Sequence, residues 1–181
     1  MNGGELPPKT FTVSEANALL PKVIPLIEQL QGIHRSITAT NQQLDEAIQK
    51  ISQGNGYPIQ SLKEQIKDLT THQLQLVEAF QSVLAQLEEL GCFLKDLTIG
   101  LVDFYGEREG DVVCLCWKLG EDRIRFWHTL ESGFAGRQPL ERAGSVRLEK
   151  VGRIGVVRQR QHAQVDVGRY EQLEHFGRAA A

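Results

Sequence analysis

Residues 44–66 read LDEAIQKISQGNGYPIQSLKEQI and place a strong turn between two apolar repeats. The turn is the segment GNGYP at 54–58, whose composition ends a helix. On both sides of it apolar residues alternate spacings of four and three, the pattern of a coiled-coil seam. The short turn makes the two helices antiparallel, so a long helical hairpin is predicted. Its seam comprises Val23, Ile27, Leu30, His34, Ile37, Asn41, Leu44, Ile48, Ile51, Ile59, Leu62, Ile66, Leu69, Gln73, Leu76, Phe80, Val83, Leu87 and Leu90.

Polar residues interrupt this seam. Folding the hairpin at residue 55 pairs Asn41 with Leu69 and Ile37 with Gln73, with His34 one layer closer to the base. Buried polar residues at seam positions fix the register of a coiled coil at some loss of stability. We therefore interpret His34 and Asn41 as structural residues rather than ligands.

The first helix has a clear start signal followed by two prolines. Thr12 and Glu15 have the spacing of a capping box. Pro21 and Pro25 lack the backbone N–H that a helix interior requires. The pattern predicts a short helix over residues 14–20, then a kink and a new helix that begins near Pro21.

The two halves of the hairpin differ in composition. The tip is flanked by charged and amide side chains, which indicates a solvent-exposed tip. The base carries additional apolar residues beside the seam, which predicts that it packs against another part of the molecule. These residues are Leu26, Ile33, Leu74, Val77 and Leu84.

After Gly91, a typical helix C-cap residue, the sequence predicts an antiparallel β-meander. The predicted strands cover residues 92–95, 100–105, 111–118 and 123–128. A two-residue loop at Gly120-Glu121 would pair Leu119 with Asp122, placing His128 on the opposite face of the sheet from both Cys114 and Cys116. The predicted class is α+β, with this small sheet packed at the base of the hairpin.

Composition divides the chain into three parts. Residues 1–10 are predicted to be a mobile leader, residues 11–140 a single domain, and residues 141–181 a poorly ordered basic extension. Residues 1–140 hold 12 Lys and Arg against 18 Asp and Glu, whereas residues 141–181 hold 8 against 5. An acidic main domain argues against nucleic-acid binding, which requires a cationic face.

Other classes of protein are also disfavoured. The sequence has no apolar run long enough for a membrane span and no secretory leader. Its 3 cysteines are too few and too unevenly spaced for a disulfide framework. A cytoplasmic protein with no membrane association is expected.

Two sets of polar residues are candidates for chemistry. Cys114, Cys116 and His128 are of metal-ligand type, yet the predicted register separates the cysteines from the histidine. We therefore favour buried structural cysteines and predict no cofactor, with zinc or another divalent metal as the alternative. Asp103, Glu121 and His128 are the candidate catalytic residues, because carboxylates beside an imidazole can serve acid–base or metal chemistry. The predicted binding residues are Trp127, Arg137 and Lys118.

Several segments together resemble a prokaryotic family known as domain of unknown function 2203. The likeness spans about residues 11–140 and rests on FTVSEAN (11–17), LP (20–21), KD (95–96), GLVDF (100–104), CLCWKLGE (114–121), WH (127–128) and GFAGR (133–137). The family has no assigned activity. The resemblance implies that residues 91–140 are its defining part, with Asp103, Glu121, Trp127, His128 and Arg137 as a polar signature.

Two functions are consistent with these patterns. The first is a non-enzymatic binding or assembly protein that uses the hairpin and the meander and has a protein partner or self-associates. The alternative is a small metal-dependent or acid–base enzyme that uses Asp103, Glu121 and His128, which requires these three side chains to converge.

Overall fold

The computed structural model describes residues 9–54 and 56–140. Two long helices, α1 (Val13–Gln53) and α2 (Ile59–Glu89), pack against each other as a hairpin. A five-stranded antiparallel sheet follows, with its strands side by side in chain order. This architecture confirms the predicted α+β class. The strands are β1 (Cys92–Asp96), β2 (Leu101–Arg108), β3 (Asp111–Lys118), β4 (Phe126–Thr129) and β5 (Gln138–Pro139), with a short 3-10 helix, Phe134–Gly136, before β5.

The described residues include only the end of the predicted leader, at positions 9 and 10. The predicted basic extension, residues 141–181, lies outside them. In the part of the chain that is described, neither helix combines length with enough apolar character to cross a membrane.

The start of α1 has the predicted capping box, but the predicted break is wrong. The Glu15 backbone N–H donates to Thr12 Oγ1 at 3.2 Å, and Glu15 Oε2 accepts from the Thr12 backbone N–H at 2.8 Å. α1 then continues through both Pro21 and Pro25. Both prolines are on the exposed side of the helix. Water can therefore hydrate the carbonyls that the prolines leave without helical partners.

The seam follows the prediction at the base of the hairpin and departs from it near the tip. Val23 and Ile27 are fully buried, as predicted. Farther along α1, Thr40 and Ala47 are buried, while Ile48 is 46% exposed. The buried face of α1 therefore rotates around the helix between the base and the tip of the hairpin. The helices do not keep one constant face toward each other, as they would in a regular coiled coil.

One polar pair within the seam is mutually satisfied. Gln73 Nε2 donates to Asn41 Oδ1 at 2.6 Å. The predicted layers had paired Asn41 with Leu69 and Ile37 with Gln73, so this hydrogen bond joins two adjacent predicted layers. A hydrogen bond between two partly buried amides offsets the unfavourable burial of each.

The sheet packs at the base of the hairpin, as predicted. The Phe104 ring on β2 makes an edge contact with Phe11, at 5.5 Å between ring centroids. Gln31 Nε2 on α1 donates to the Leu97 carbonyl at 2.8 Å. Asn17 Oδ1 accepts from the Ile124 backbone N–H at 2.8 Å. The two hydrogen bonds anchor the connections between strands directly to α1.

The predicted pairing of β3 with β4 is wrong by one residue. Cys114 lies opposite His128, and Leu115 lies opposite Trp127. The two strands are joined by an irregular connection over residues 119–125 instead of a two-residue loop. In this connection the Lys118 backbone N–H donates to Glu121 Oε2 at 3.0 Å. A shift of one residue reverses the face of every side chain in a strand, so His128 joins the cysteines.

Candidate functional site

One face of the sheet collects the ionisable residues of three adjacent strands. Strand alternation places Asp103 and Tyr105 of β2 on the same face as Cys114 and Cys116 of β3 and His128 of β4. Asp103 and His128 are each 2% exposed, and Cys114 is 3% exposed. This group is therefore part of the protein interior.

Asp103, Cys114 and His128 form a compact cluster. His128 Nε2 lies 3.2 Å from Asp103 Oδ2. The carboxylate oxygen, the Cys114 sulfur and the imidazole nitrogen all lie within 4.8 Å of one another. Two of the three predicted catalytic residues and two of the three weak metal candidates thus meet in one place. We call this group the Asp–Cys–His cluster.

A backbone carbonyl fixes the orientation of the imidazole. His128 Nδ1 lies 2.8 Å from the Thr129 carbonyl oxygen. Because a carbonyl can only accept, Nδ1 carries the proton and Nε2 is directed toward Asp103. Burial alone would lower the pKa of His128, but the Asp103 carboxylate and the Thr129 carbonyl outweigh it and raise that pKa. The contact with Asp103 therefore favours the protonated form of the imidazole.

The Asp103 carboxylate is poorly satisfied. Neither of its oxygens accepts a hydrogen bond of regular geometry from any residue between positions 9 and 140 that the structure describes. A buried carboxylate is normally both paired and hydrogen-bonded, because removing the ion from water is unfavourable by several kcal/mol. The ion pair with His128, together with the adjacent thiols of Cys114 and Cys116, is the compensation that Asp103 has among the described residues.

The cysteines of this face are inert thiols in the metal-free protein. Burial, followed by the negative charge of Asp103, raises the pKa of Cys114 to about 12. The same two causes raise the pKa of Cys116, and burial raises that of Tyr105. A protonated buried thiol is a weak nucleophile. The expectation of buried cysteines is confirmed, whereas their predicted separation from His128 is not.

Glu121 lies in a different group from Asp103 and His128. Arg137 Nη2 donates to Glu121 Oε2 at 2.8 Å and to the Cys116 carbonyl at 3.2 Å. The guanidinium also stacks over the rings of Phe126 at 4.3 Å and Phe134 at 5.0 Å. Arg137 therefore ties the segment after β4 to the end of β3. The three candidate catalytic residues therefore do not lie together in one site among the described residues.

The remaining predicted binding residues are placed apart from the cluster. Trp127 is opposite Leu115, on the other face of the sheet, and the Arg108 guanidinium lies 4.5 Å from its ring. Lys118 ends β3 and uses its backbone N–H to bind Glu121. Sequence reasoning overlooked Tyr105, although its spacing of two from Asp103 on a strand is the signal that both share a face.

The hairpin offers a separate candidate surface. The five apolar residues beside the seam were predicted to be covered by another part of the molecule, but none of them is buried. Leu74 is 60% exposed. Leu26 and Ile33 belong to α1, whereas Leu74, Val77 and Leu84 share one side of α2 at spacings of three and seven, and we call these three the outer stripe.

Comparison with known proteins identifies the family. No curated protein and no solved structure matches the chain. A family model described as "Uncharacterized conserved protein (DUF2203)" matches residues 9–140. This range covers both helices of the hairpin, the sheet and the Asp–Cys–His cluster. The chain therefore belongs to the DUF2203 family.

Proposed function

We propose that this protein is a non-enzymatic assembly protein that self-associates through the outer stripe of its hairpin. The observation that carries the proposal is the 60% exposure of Leu74, which shares one side of α2 with the partly covered Val77 and Leu84. Large apolar side chains grouped on one helical surface are typical of an interaction site.

A second copy of the same chain is the partner that fits this surface. Two hairpins related by a twofold axis bury the same stripe on each copy, and the product is a four-helix bundle. Full burial of one such leucine is favourable by about 1.5–3 kcal/mol, and both copies contribute.

The mass of the full-length protein in solution tests this proposal. Light scattering coupled to size exclusion should give a dimer or a higher even oligomer for the wild type. Leu74→Glu combined with Val77→Glu should give monomers, since burying two added carboxylates at an apolar interface is unfavourable.

Gln75→Glu is the matched control. Gln75 is an exposed neighbour on the same helix, so this variant adds charge away from the stripe and should keep the wild-type mass. A monomeric wild type at every concentration tested would exclude self-association. A double variant that stays oligomeric would place the contact elsewhere.

One observation supports the second candidate, a metal-dependent or acid–base enzyme. Asp103 and His128 lie 3.2 Å apart, which is close enough for proton transfer or shared metal binding. An acid–base role requires that a substrate reach His128, which is 2% exposed.

Reaction with diethylpyrocarbonate distinguishes the two candidates. Modification of His128 in the native protein at a rate similar to that of the exposed His72 would support the enzyme. Modification of His72 with protection of His128 would count against substrate access.

A further inference from the structure

The Asp–Cys–His cluster has the composition and position of a metal site. Its three donors come from three neighbouring strands, with Asp103 on β2, Cys114 on β3 and His128 on β4. A sheet scaffold holds side chains with less freedom than a loop does, as a preorganised site requires. Carboxylate oxygen, thiolate sulfur and imidazole nitrogen are the three ligand types of zinc proteins.

We propose that Asp103, Cys114 and His128 bind one divalent cation of the zinc class. This site is separate from the outer stripe and does not depend on the proposed self-association. Two features besides ligand type point to a cation, namely the orientation of His128 and the unsatisfied state of Asp103.

The orientation of His128 is the one that a metal ligand requires. Its Nδ1–H donates to the Thr129 carbonyl at 2.8 Å, which leaves Nε2 directed into the cluster. Histidine ligands of metals usually donate their second ring nitrogen to a carbonyl or carboxylate, which fixes the tautomer and the ring position. The strand itself supplies that acceptor here, one residue after the histidine.

The unsatisfied carboxylate is the second, independent feature. Asp103 is 2% exposed, and neither of its oxygens accepts a regular hydrogen bond from a described residue. A histidine proton on one side compensates a buried carboxylate only in part. A bound cation would add a stronger partner for Asp103 than the imidazole provides alone.

The formal charges of the donor set suit a divalent ion. A carboxylate from Asp103 and a thiolate from Cys114 would together balance the two positive charges of the cation, and a neutral imidazole from His128 would complete the set. The loaded cluster would therefore bury no net charge.

The distances are also compatible with a small ion. Ligands at about 2.0–2.3 Å from a tetrahedral zinc are separated by about 3.3–3.6 Å from one another. The three donor atoms lie within 4.8 Å of each other, so small side-chain rotations bring them into range. The single sulfur favours Zn²⁺ or Co²⁺ over Mg²⁺ or Ca²⁺, which prefer sets composed only of oxygen.

Cobalt binding to the full-length, tag-free protein tests the proposal. Titration of the metal-free protein with Co²⁺ should saturate at about one ion per chain, as expected for a single site. A thiolate-to-cobalt charge-transfer band should appear in the near-ultraviolet absorption. Excess Zn²⁺ should abolish the band by displacement, whereas excess Mg²⁺ should leave it unchanged.

Variants assign the sulfur ligand. Cys114→Ser should remove the charge-transfer band, and Asp103→Asn should weaken Co²⁺ binding by at least about tenfold. Cys92→Ser is the matched control, because Cys92 is also fully buried but its sulfur contacts the Leu87 carbonyl away from the cluster. This control should bind Co²⁺ with an unchanged band.

A measurement on the wild type covers the case in which Cys114→Ser does not fold. X-ray absorption of the zinc-loaded protein should show a sulfur neighbour at about 2.3 Å together with nitrogen or oxygen neighbours at about 2.0 Å. Failure to retain either Zn²⁺ or Co²⁺, or a zinc shell without sulfur, would overturn the proposal. Survival of the cobalt band in a folded Cys114→Ser protein would do the same.

Discussion

The ion pair of Arg137 with Glu121 and the ion pair of Asp103 with His128 differ in how much they depend on a single partner. Arg137 and Glu121 are 12% and 19% exposed, and each has a further hydrogen bond to the backbone. Asp103 and His128 are almost completely buried, and Asp103 has no regular hydrogen bond among the described residues. Loss of one partner should therefore be far more damaging in the second pair.

This difference predicts a non-additive response to substitution of the buried pair. In metal-free protein, His128→Leu removes the charged partner that Asp103 has among residues 9–140 and should lower the free energy of unfolding by about 3–5 kcal/mol. The double variant Asp103→Leu, His128→Leu removes both charges and should be less destabilised than the single variant. Urea denaturation of the wild type, both single variants and the double variant measures this coupling. Additive effects would show that the two side chains do not stabilise each other.

The residue types of the cluster could be predicted from the sequence, but their proximity in space could not. Asp103, Cys114 and His128 were each singled out by their chemistry, and strand alternation alone connects Asp103 with Tyr105. The position of His128 depends on the register of β4, which is set by the irregular connection at 119–125. That connection is held by a hydrogen bond from Ile124 to Asn17, a residue 107 positions earlier. No local pattern contains such a contact.

At the scale of elements, local signals predicted the ends of the helices better than their interiors. The capping box at Thr12 and the left-handed glycines at 54 and 91 could be predicted from the sequence, because each depends on a few neighbouring residues. α1 continues through Pro21, and its buried face rotates along its length. Both features depend on what the whole helix packs against. Tertiary packing overrides local propensity in such cases.

The capping box should give α1 a measurable dependence on pH. Hydrogen bonds from the Thr12 backbone and side chain lower the pKa of Glu15 below its ordinary value of 4.5. A lowered folded-state pKa means that the ionised form is the stabilising one. The contribution of Glu15 to stability is thus complete above its ordinary pKa and is lost as pH falls through the lowered value.

Thr12→Ala tests this element. The variant should lower the free energy of unfolding at pH 7 by about 0.5–2 kcal/mol, the usual effect of removing an N-cap side chain. It should also reduce the loss of stability on acidification, because Glu15 no longer has the Thr12 hydroxyl as a donor. Denaturation curves at neutral and acidic pH provide both values. An unchanged acid response in the variant would mean that the Thr12 side chain does not set the pKa of Glu15.

On the scale of the whole molecule, the hairpin and the sheet share one packed boundary. Gly100 precedes β2 at a point where the loop passes close to α1. A Cβ atom at this position would lie 2.7 Å from Leu119 Cβ and 2.9 Å from Ile27 Cγ2. The backbone there also has a left-handed φ of +61°. Both the helix and the sheet therefore require glycine at this contact.

Gly100→Ala should destabilise the hairpin and the sheet together. Overpacking is unfavourable by about 1–3 kcal/mol, and the left-handed backbone adds about 1–2 kcal/mol for a residue with a Cβ. Gly110→Ala is the matched control, since Gly110 has a φ of +90° with nothing within 4 Å of the added Cβ. This control should show the backbone penalty alone.

Two probes separate the layers in the same denaturation experiment. Both tryptophans, Trp117 and Trp127, lie in the sheet, so their fluorescence reports on that layer. Far-ultraviolet circular dichroism reports mainly on the two long helices. Because Ile27 of α1 lies against Gly100 and Phe104 of β2 packs on Phe11, just before α1, the two transitions should coincide in the wild type. Gly100→Ala should shift both transitions equally and by more than Gly110→Ala does. A helix transition that stays in place while the fluorescence transition moves would show that the hairpin folds without the sheet.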